Sequence, residues 1–166
     1  GVTVEQVAKV TKNFTENGIL VHAYLMFGYP TQTEQETIDS LEMVRQLFQL
    51  GIIQSGFWHQ FSLTAHSPIG LNPKAFGISP HIPNVSFAHN DIDFEDSTGI
   101  DHSKFSYGLN KSLYNYMLGI GFENNLQDWF EHEIPRTTID AEYILQLIEQ
   151  EDELKIKPTA KLYWIG

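Results

Sequence analysis

The chain has 166 residues, a formal net charge of −11 and no cysteine, and 42% of its residues are hydrophobic. This length and composition predict one globular chain with its own core, and they exclude disulfides and thiolate chemistry. The negative charge argues against nucleic-acid phosphates and anionic lipid surfaces as partners. No segment reaches the roughly 18 consecutive apolar residues of a membrane span. We therefore expect no nucleic-acid or membrane binding, and a cytoplasmic location.

An amphipathic helix is the first predicted element. Thr3 and Gln6 have the spacing of a capping box, in which the two side chains satisfy each other's backbone amides. One apolar face follows at helical spacing, formed by Val4, Val7, Val10, Thr11 and Phe14. The pattern predicts a helix that ends before Gly18.

Residues 18–61 predict a βαβ unit. The run 19–27 is apolar nearly throughout, which is typical of a parallel strand covered on both faces. The segment 52–63 is rich in β-branched and aromatic residues and predicts a second strand, parallel to the first. Two parallel strands need a crossover between them, and residues 28–51 are long enough to supply one.

The predicted crossover is a helix over residues 34–50. Thr33 is a favourable N-cap, and Glu36 completes a second capping box. The helical period places one set of residues inside, namely Ile38, Leu41, Val44, Leu47 and Phe48. It places Gln35, Glu42 and Gln49 outside, and Gly51 ends the helix.

The rest of the chain is predicted to be a proline-rich loop followed mainly by helices. We expect a loop over 65–83 with one helical turn at 74–76, and a short strand or hairpin over 85–94. A helix should begin at Ser103 or Ser106 and end near Gly119, with an inward face of Leu109, Leu113, Tyr116, Met117 and Ile120.

Three shorter elements complete the expectation. They are a short helix over 126–131, a helix from Thr137 or Thr138 to about Glu151, and a strand over 161–165. The inward face of the last helix would be Ile139, Tyr143, Ile144, Leu147 and Ile148. We place the boundary of a first unit at residue 70, with an extension over 71–166.

Three histidines are candidates for chemistry. His59 and His66 flank the end of the second strand, where barrel folds place their active sites, so they are candidates on the substrate side. Zinc would need further ligands that the surrounding sequence does not identify. His22 lies within the first predicted strand and is interpreted as a core histidine.

An acidic cluster begins like a calcium-binding loop. Asp91, Asp93, Glu95 and Asp96 supply oxygens at the first, third, fifth and sixth positions. The EF-hand pattern fails, because the sixth position is not glycine and the twelfth is His102. The simplest interpretation is a solvated acidic loop, with metal binding as the alternative.

Two segments carry a family resemblance. The first strand leads into GYPTQTE at 28–34 and an acidic helix start, and the second leads into SPIG at 67–70. This ordered set resembles the later part of a radical SAM domain over residues 2–70. The resemblance implies an α/β fold, the parallel βαβ portion of a (βα) TIM-type barrel, with a mostly helical C-terminal extension.

The resemblance also implies a cofactor site. The parent would be an oxidoreductase that uses S-adenosyl-L-methionine and a 4Fe–4S iron–sulfur cluster. This chain would supply the adenosine-side wall through Leu25, Met26, Gly28, Pro30, Gln60 and Phe61. Glycine at position 28 would let the flat adenine ring approach the backbone.

The absence of cysteine limits the implied activity. The family binds its cluster through a Cys-x-x-x-Cys-x-x-Cys loop, and Fe–S clusters are held mainly by thiolates. We therefore expect a fragment without the cluster-binding half, inactive alone and with no cofactor bound. The alternatives are a metal-dependent hydrolase half-barrel that uses His59 and His66, and a non-catalytic interaction module.

A barrel cut in this way predicts specific partners. The first strand would have an open edge, and the former lumen face would expose Tyr24, Met26 and either Phe57 or Trp58. We expect the missing N-terminal half of the barrel to cover these surfaces in the parent protein. In its absence, a homodimer or the C-terminal helices would cover them.

Overall fold

Helices and strands alternate through the first half of the chain in the computed structural model, which describes residues 2–81 and 90–150. The helices are α1 (Val4–Glu16), α2 (Glu34–Gln49), α3 (Pro68–Leu71), α4 (Ser106–Met117) and α5 (Tyr143–Glu149). The strands are β1 (His22–Phe27), β2 (Ser55–Gln60), β3 (Leu63–Thr64), β4 (Ile78–His81) and β5 (Asp91–Asp96). Short 3₁₀ turns lie at Pro73–Phe76, His102–Phe105 and Leu126–Trp129.

Both predicted capping boxes are confirmed. The amide of Gln6 lies 3.2 Å from Thr3 Oγ1, and the amide of Thr3 lies 3.0 Å from Gln6 Oε1. Thr33 and Glu36 make the same reciprocal pair at the start of α2, with distances of 2.7 and 3.2 Å. These local hydrogen bonds set the N-termini of α1 and α2.

The predicted βαβ unit is also present. β1 and β2 pair in parallel, with Tyr24 opposite Phe57 and Phe27 opposite Gln60, and α2 connects them. A second sheet has the order β3–β5–β4 and is antiparallel. The chain is therefore a mixed α/β protein that contains a short parallel pair.

The expectation that both faces of the first strand are covered is wrong for the part of the chain described. Phe27 and Trp58 are 1% and 4% exposed, whereas Tyr24, Met26 and Phe57 are 67%, 47% and 43% exposed. Side chains alternate between the two faces of a strand, so one face is buried and the other is open. We call the exposed face, which carries Tyr24, Met26, Phe57 and His59, the open face.

His22 is not a core histidine. It is the first residue of β1, its side chain is exposed, and its Nδ1 lies 2.8 Å from Ser55 Oγ on the neighbouring strand. The strand begins three residues later than predicted, which places His22 at its solvated end.

The inward face of α2 is as predicted, but one outward assignment is wrong. Ile38, Leu41, Val44, Leu47 and Phe48 are all buried. Glu42 is also buried, at 4% exposure, because the guanidinium of Arg45 donates to both of its carboxylate oxygens, at 2.8 and 2.6 Å. A buried carboxylate is tolerated when it is paired and hydrogen-bonded in this way.

The apolar face predicted for α1 is divided between core and solvent. Ala8 is fully buried, while Val7, Val10 and Phe14 are 40%, 49% and 46% exposed. Thr15, seven residues after Ala8, donates its hydroxyl to the carbonyl of Ile52 at 2.8 Å. The side of α1 that carries Ala8 and Thr15 therefore faces the core.

The C-terminal half follows the predicted order with three differences. The expected loop over 65–83 contains α3, a 3₁₀ turn and β4 within its described residues, and the acidic cluster lies in strand β5 instead of a loop. The predicted helix over 126–131 is a 3₁₀ turn. The strand expected at 161–165, and residues 85–89 of the expected hairpin, lie outside the described residues.

The predicted cap of the last helix is wrong. α5 begins at Tyr143, and the hydroxyls of Thr137 and Thr138 donate instead to Asp39 of α2, at 2.8 and 2.7 Å. Both hydroxyls donate to this carboxylate, which is a strong acceptor, so the two threonines attach the segment before α5 to α2.

The core combines both halves of the sequence. α4 contributes Leu109, Leu113 and Tyr116 to the same buried cluster as Phe27 and the inner face of α2. Met117 packs partly against this cluster, whereas Ile120, which we expected inside, is 54% exposed. Across residues 2–81 and 90–150, no helix combines the length and apolar character of a membrane span.

Candidate functional site

A cleft of about 560 Å³ lies where β1 and β2 end. It is lined by Gly28, by residues 60–63 from the end of β2 to the start of β3, by all of β5 and by residues 99–102. In open α/β sheets, ligands bind outside the carboxyl ends of the parallel strands. We refer to this space as the strand-end cleft.

The turn after β1 forms one wall of the strand-end cleft. Gly28 has a φ of +71°, and its amide donates to Gln32 Oε1 at 2.6 Å. A Cβ at position 28 would lie 3.1 Å from the Cβ of His102. Glycine is therefore required both by the left-handed backbone and by the close approach of His102. The side chain of His102 therefore packs against this turn.

Aromatic side chains form the apolar part of the cleft. The ring of Phe61 makes edge contacts with Tyr29 and Phe94, with centroid distances of 5.3 and 5.7 Å. The amide of Phe61 donates to the carbonyl of Phe27 at 2.8 Å, which holds the chain after β2 beside the end of β1. The two strand ends and β5 are therefore joined by one aromatic cluster.

Asp96 connects the antiparallel sheet to the turn after β1. Its carboxylate accepts from the amides of Thr31, Thr98 and Gly99 at 3.0, 2.9 and 3.2 Å, and from the Thr98 hydroxyl at 2.5 Å. Burial alone would raise the pKa of Asp96, but these hydrogen bonds outweigh it and lower the pKa below the ordinary 3.8. The carboxylate is therefore ionised near neutral pH.

His102 is a buried residue of the strand-end cleft. Its side chain is 8% exposed, and within the described part of the chain neither ring nitrogen has a hydrogen-bond partner. The Nε2 atom lies 3.9 Å from Asp96 Oδ2, which is beyond hydrogen-bond distance. A buried imidazole without a partner is unusual, because each unsatisfied polar group opposes folding.

The charge of the cleft has one sign. Among the residues that the structure describes, five aspartates and glutamates line it, and no lysine or arginine does. They are Asp91, Asp93, Glu95, Asp96 and Asp101. A concave surface lined by one sign of charge concentrates ions of the opposite sign.

Three of the six residues that were predicted to bind the cofactor lie together in the structure. Gly28, Gln60 and Phe61 all line the strand-end cleft. Leu25 is partly buried against the core, Met26 lies on the open face, and Pro30 is buried beneath the turn. These three side chains therefore do not line the cleft.

The two candidate histidines do not form a common site. His59 lies on the open face, where its ring centroid is 5.8 Å from that of Tyr24. His66 is exposed in the turn after β3. Across residues 2–81 and 90–150, no three histidine, aspartate or glutamate side chains are placed to hold a metal ion together.

Sequence reasoning did not identify Asp96 and His102 as parts of a cleft. The Asp-x-Thr-Gly pattern at 96–99 is a usable signal for the first, since an aspartate commonly accepts from the amides two and three residues later. For His102 we find no local signal, because its position depends on contact with the distant Gly28.

Comparison with known proteins identifies no relative of this chain. None of the protein-family models matches the chain, and no curated protein or solved structure matches it either.

Proposed function

We propose that this chain is part of a radical SAM protein, and that the strand-end cleft forms the adenosine-side wall of its S-adenosylmethionine site. In this proposal the βαβ unit is a portion of a (βα) barrel, and the segments after residue 70 are an extension. The location is cytoplasmic and the parent protein is an oxidoreductase.

The observation that carries the proposal is the position of the cleft. It lies at the carboxyl edge of the only parallel pair among the described strands, and Gly28, Gln60 and Phe61 meet there. The backbone at these strand ends and the side-chain amide of Gln60 are suited to the polar edge of an adenine. The ring of Phe61 provides an apolar surface for a flat base.

The two cofactors of the family fit this chain differently. The cleft has the volume and the mixed polar and aromatic lining that a nucleoside needs. The cluster does not fit, because the sequence contains no cysteine to supply thiolate ligands. Any cluster would be held by another part of the parent protein, and we propose that this chain alone is not catalytic.

The open surfaces support an incomplete barrel. Among the described strands β1 pairs only with β2, which leaves its other edge free, and the open face exposes Tyr24, Met26 and Phe57. The exposed Val7, Val10 and Phe14 of α1 add an apolar surface. We propose that the N-terminal half of the barrel covers these surfaces, and that isolated chains pair through them.

The hydrolase alternative receives no support from the geometry, because neither His59 nor His66 belongs to a group of metal-ligating side chains among the described residues. An interaction module without a cofactor is the remaining alternative, and it is favoured by the same open face. Ligand titration distinguishes it from the cofactor proposal.

The decisive titration uses the ¹⁵N-labelled chain with S-adenosylmethionine and with 5′-deoxyadenosine. We expect both to shift the amides of Gly28, Gln60 and Phe61 with millimolar affinity, worth about 4 kcal/mol, because only part of the site is present. Gln60→Ala should weaken binding, and the control Gln150→Ala, at an exposed position after α5, should not.

If the amide signals do not shift at saturating ligand, this chain does not form the adenosine-side wall. Micromolar affinity would show that the site is complete in this chain.

A second measurement tests the missing cluster. After anaerobic treatment with iron and sulfide, dithionite should yield no 5′-deoxyadenosine, and stoichiometric product would overturn that part of the proposal. In the parent gene, a Cys-x-x-x-Cys-x-x-Cys sequence upstream of residue 1 is expected.

A further inference from the structure

The imidazole of His102 has no role in holding the described fold together through hydrogen bonds. It is 8% exposed, it lines the strand-end cleft, and both of its ring nitrogens are buried without a partner among residues 2–81 and 90–150. A neutral imidazole offers one acceptor nitrogen and one N–H donor. A ligand group that reaches the ring from the cleft would satisfy it.

The surroundings of His102 define the charge of that group. The Asp96 carboxylate is 3.9 Å from Nε2 and is itself only 4% exposed. Within residues 2–81 and 90–150, four further acidic residues line the cleft, and no lysine or arginine does. An anion such as a nucleotide would be repelled, whereas a cation would be attracted at short range.

The ligand is better matched to an organic cation than to a metal ion. Within the described residues, no three acidic or histidine side chains converge as a metal site requires. The cleft instead combines its carboxylates with the aromatic cluster of Phe61 and Phe94, over a volume of about 560 Å³. Carbon-bearing cations use both kinds of surface, because the charge meets the carboxylates and the carbon skeleton packs on the rings.

We propose that the strand-end cleft binds a small organic ammonium or guanidinium ion, and that His102 accepts a hydrogen bond from its N–H group. The proposal rests on the proposed function for the location of the ligand site, and it adds the charge class of the ligand and the residue that recognises it. His102 is the binding residue, and the carboxylates of β5 supply the attraction.

The test follows the ring signals of His102 by NMR in the full chain. The probes are agmatine, which carries ammonium and guanidinium groups, neutral adenosine and anionic ADP. We expect agmatine to shift the His102 ring signals in a saturable manner and ADP not to. Raised salt should weaken the agmatine response.

Two variants test the recognition of the cation. His102→Phe keeps a ring and removes both nitrogens. In this variant binding is followed by the amide shifts of the residues that line the cleft, and agmatine affinity should fall about tenfold or more, the value of a hydrogen bond to a charged group. If this variant does not fold, His102→Gln retains hydrogen-bonding groups in a different geometry and should weaken binding to a smaller extent.

Charge is tested separately. Asp91→Asn with Asp93→Asn removes two exposed carboxylates of the lining, and we expect a loss of about threefold for each, as for solvated ion pairs. The matched control is Glu149→Gln, an exposed carboxylate of α5 outside the cleft, and it should not change binding.

The outcomes separate this inference from the proposed function. If adenosine shifts the amides of Gly28, Gln60 and Phe61 but agmatine leaves His102 unchanged, the cofactor wall stands and the cation proposal is overturned. If agmatine binds and adenosine does not, the cation proposal stands and the adenosine wall is overturned. Equal binding of ADP and agmatine, or full agmatine affinity in His102→Phe, would also overturn the cation proposal.

Discussion

The two faces of the parallel strand pair both carry a phenylalanine, but the environments of these two side chains are opposite. Phe27 on the covered face is 1% exposed, and Phe57 on the open face is 43% exposed. Both are phenylalanines within neighbouring strands of one sheet. Apolar composition therefore does not determine which face is buried. That depends on which side the helices occupy, and α2 and α4 both pack into the same core as Phe27.

The covered side is also held by polar contacts. Gln46 of α2 donates to Glu42 and to the carbonyl of Asp140, both at 2.8 Å, and accepts from the amide of Ile144 at 2.9 Å. Arg45 donates to the carbonyl of Phe122 at 2.6 Å. These contacts tie α2 to the C-terminal segments, and we call them the α2 network. The open face has no comparable covering among the described residues.

The largest expected effect comes from truncating the matched phenylalanines. Phe27→Ala should reduce the free energy of unfolding by about 3–5 kcal/mol, because it leaves a cavity in the core. Phe57→Ala should reduce it by less than about 1 kcal/mol, as is usual at exposed positions. Denaturant unfolding measures both values. Similar losses would show that the open face is buried in solution.

The next effect concerns the α2 network. Glu42→Ala leaves the guanidinium of Arg45 without its carboxylate, and we expect a loss of about 3 kcal/mol in unfolding free energy. The control is Glu16→Ala, which removes the exposed pair between Lys12 and Glu16 and should cost about 0.5 kcal/mol or less. If the two variants lose the same amount, the carboxylate of Glu42 is solvated and the network is not buried.

A smaller effect should appear in the pH dependence of stability. Burial acts to raise the pKa of Asp39, but hydrogen bonds from Thr138, Thr137 and Gln35 outweigh it and lower the pKa below 3.8. The unfolded chain then binds the proton more readily, so this stabilisation is complete well above pH 3.8 and is lost as pH falls through the lower folded value.

Asp39→Asn tests this linkage. At neutral pH it should cost about 1–2 kcal/mol of unfolding free energy, since one acceptor oxygen and the charge are removed. Below pH 3.8 its stability should fall less steeply than that of the natural chain, although Asp96 still contributes. Acid-dependent urea unfolding gives both slopes. If the unfolding free energies of the two chains depend on pH with the same slope, the pKa of Asp39 is the same in the folded and the unfolded chain.

The smallest effect on stability is expected for the open face itself. Replacing Tyr24 and Phe57 by serine should change the unfolding free energy by about 1 kcal/mol or less. The same change should reduce self-association, measured by light scattering on a size-exclusion column. A natural chain that stays monomeric, with freely exchanging amides in β1, would contradict pairing through this surface.

Local rules predicted the parts of the fold that depend on residues close in sequence. The capping boxes at Thr3 and Thr33 and the inward face of α2 follow from spacing alone, because their partners lie within one or two helical turns. The parallel strand pair was predicted from the apolar run 19–27 and is present, although the premise that both faces of this strand are covered is wrong.

Glycine at position 108 illustrates the limit of local rules. Alanine is the better helix former within α4, but a Cβ there would lie 2.3 Å from the ring of Phe130. Glycine is required at position 108 by the ring of Phe130, which lies 22 positions later in the sequence. Helix propensity contains no information about such a contact.

The sequence by itself determined the order of α1, β1, α2 and β2, the starts of α1 and α2, and the position of the turn at Gly28. Only the tertiary structure decided that Thr137 and Thr138 bond to Asp39, that Glu42 is buried, and that Asp96 and His102 meet Gly28 in an acidic cleft. The physical reason is separation along the chain. Periodicity and capping act over a few residues, whereas burial of a charge or an imidazole depends on which distant segment packs against it.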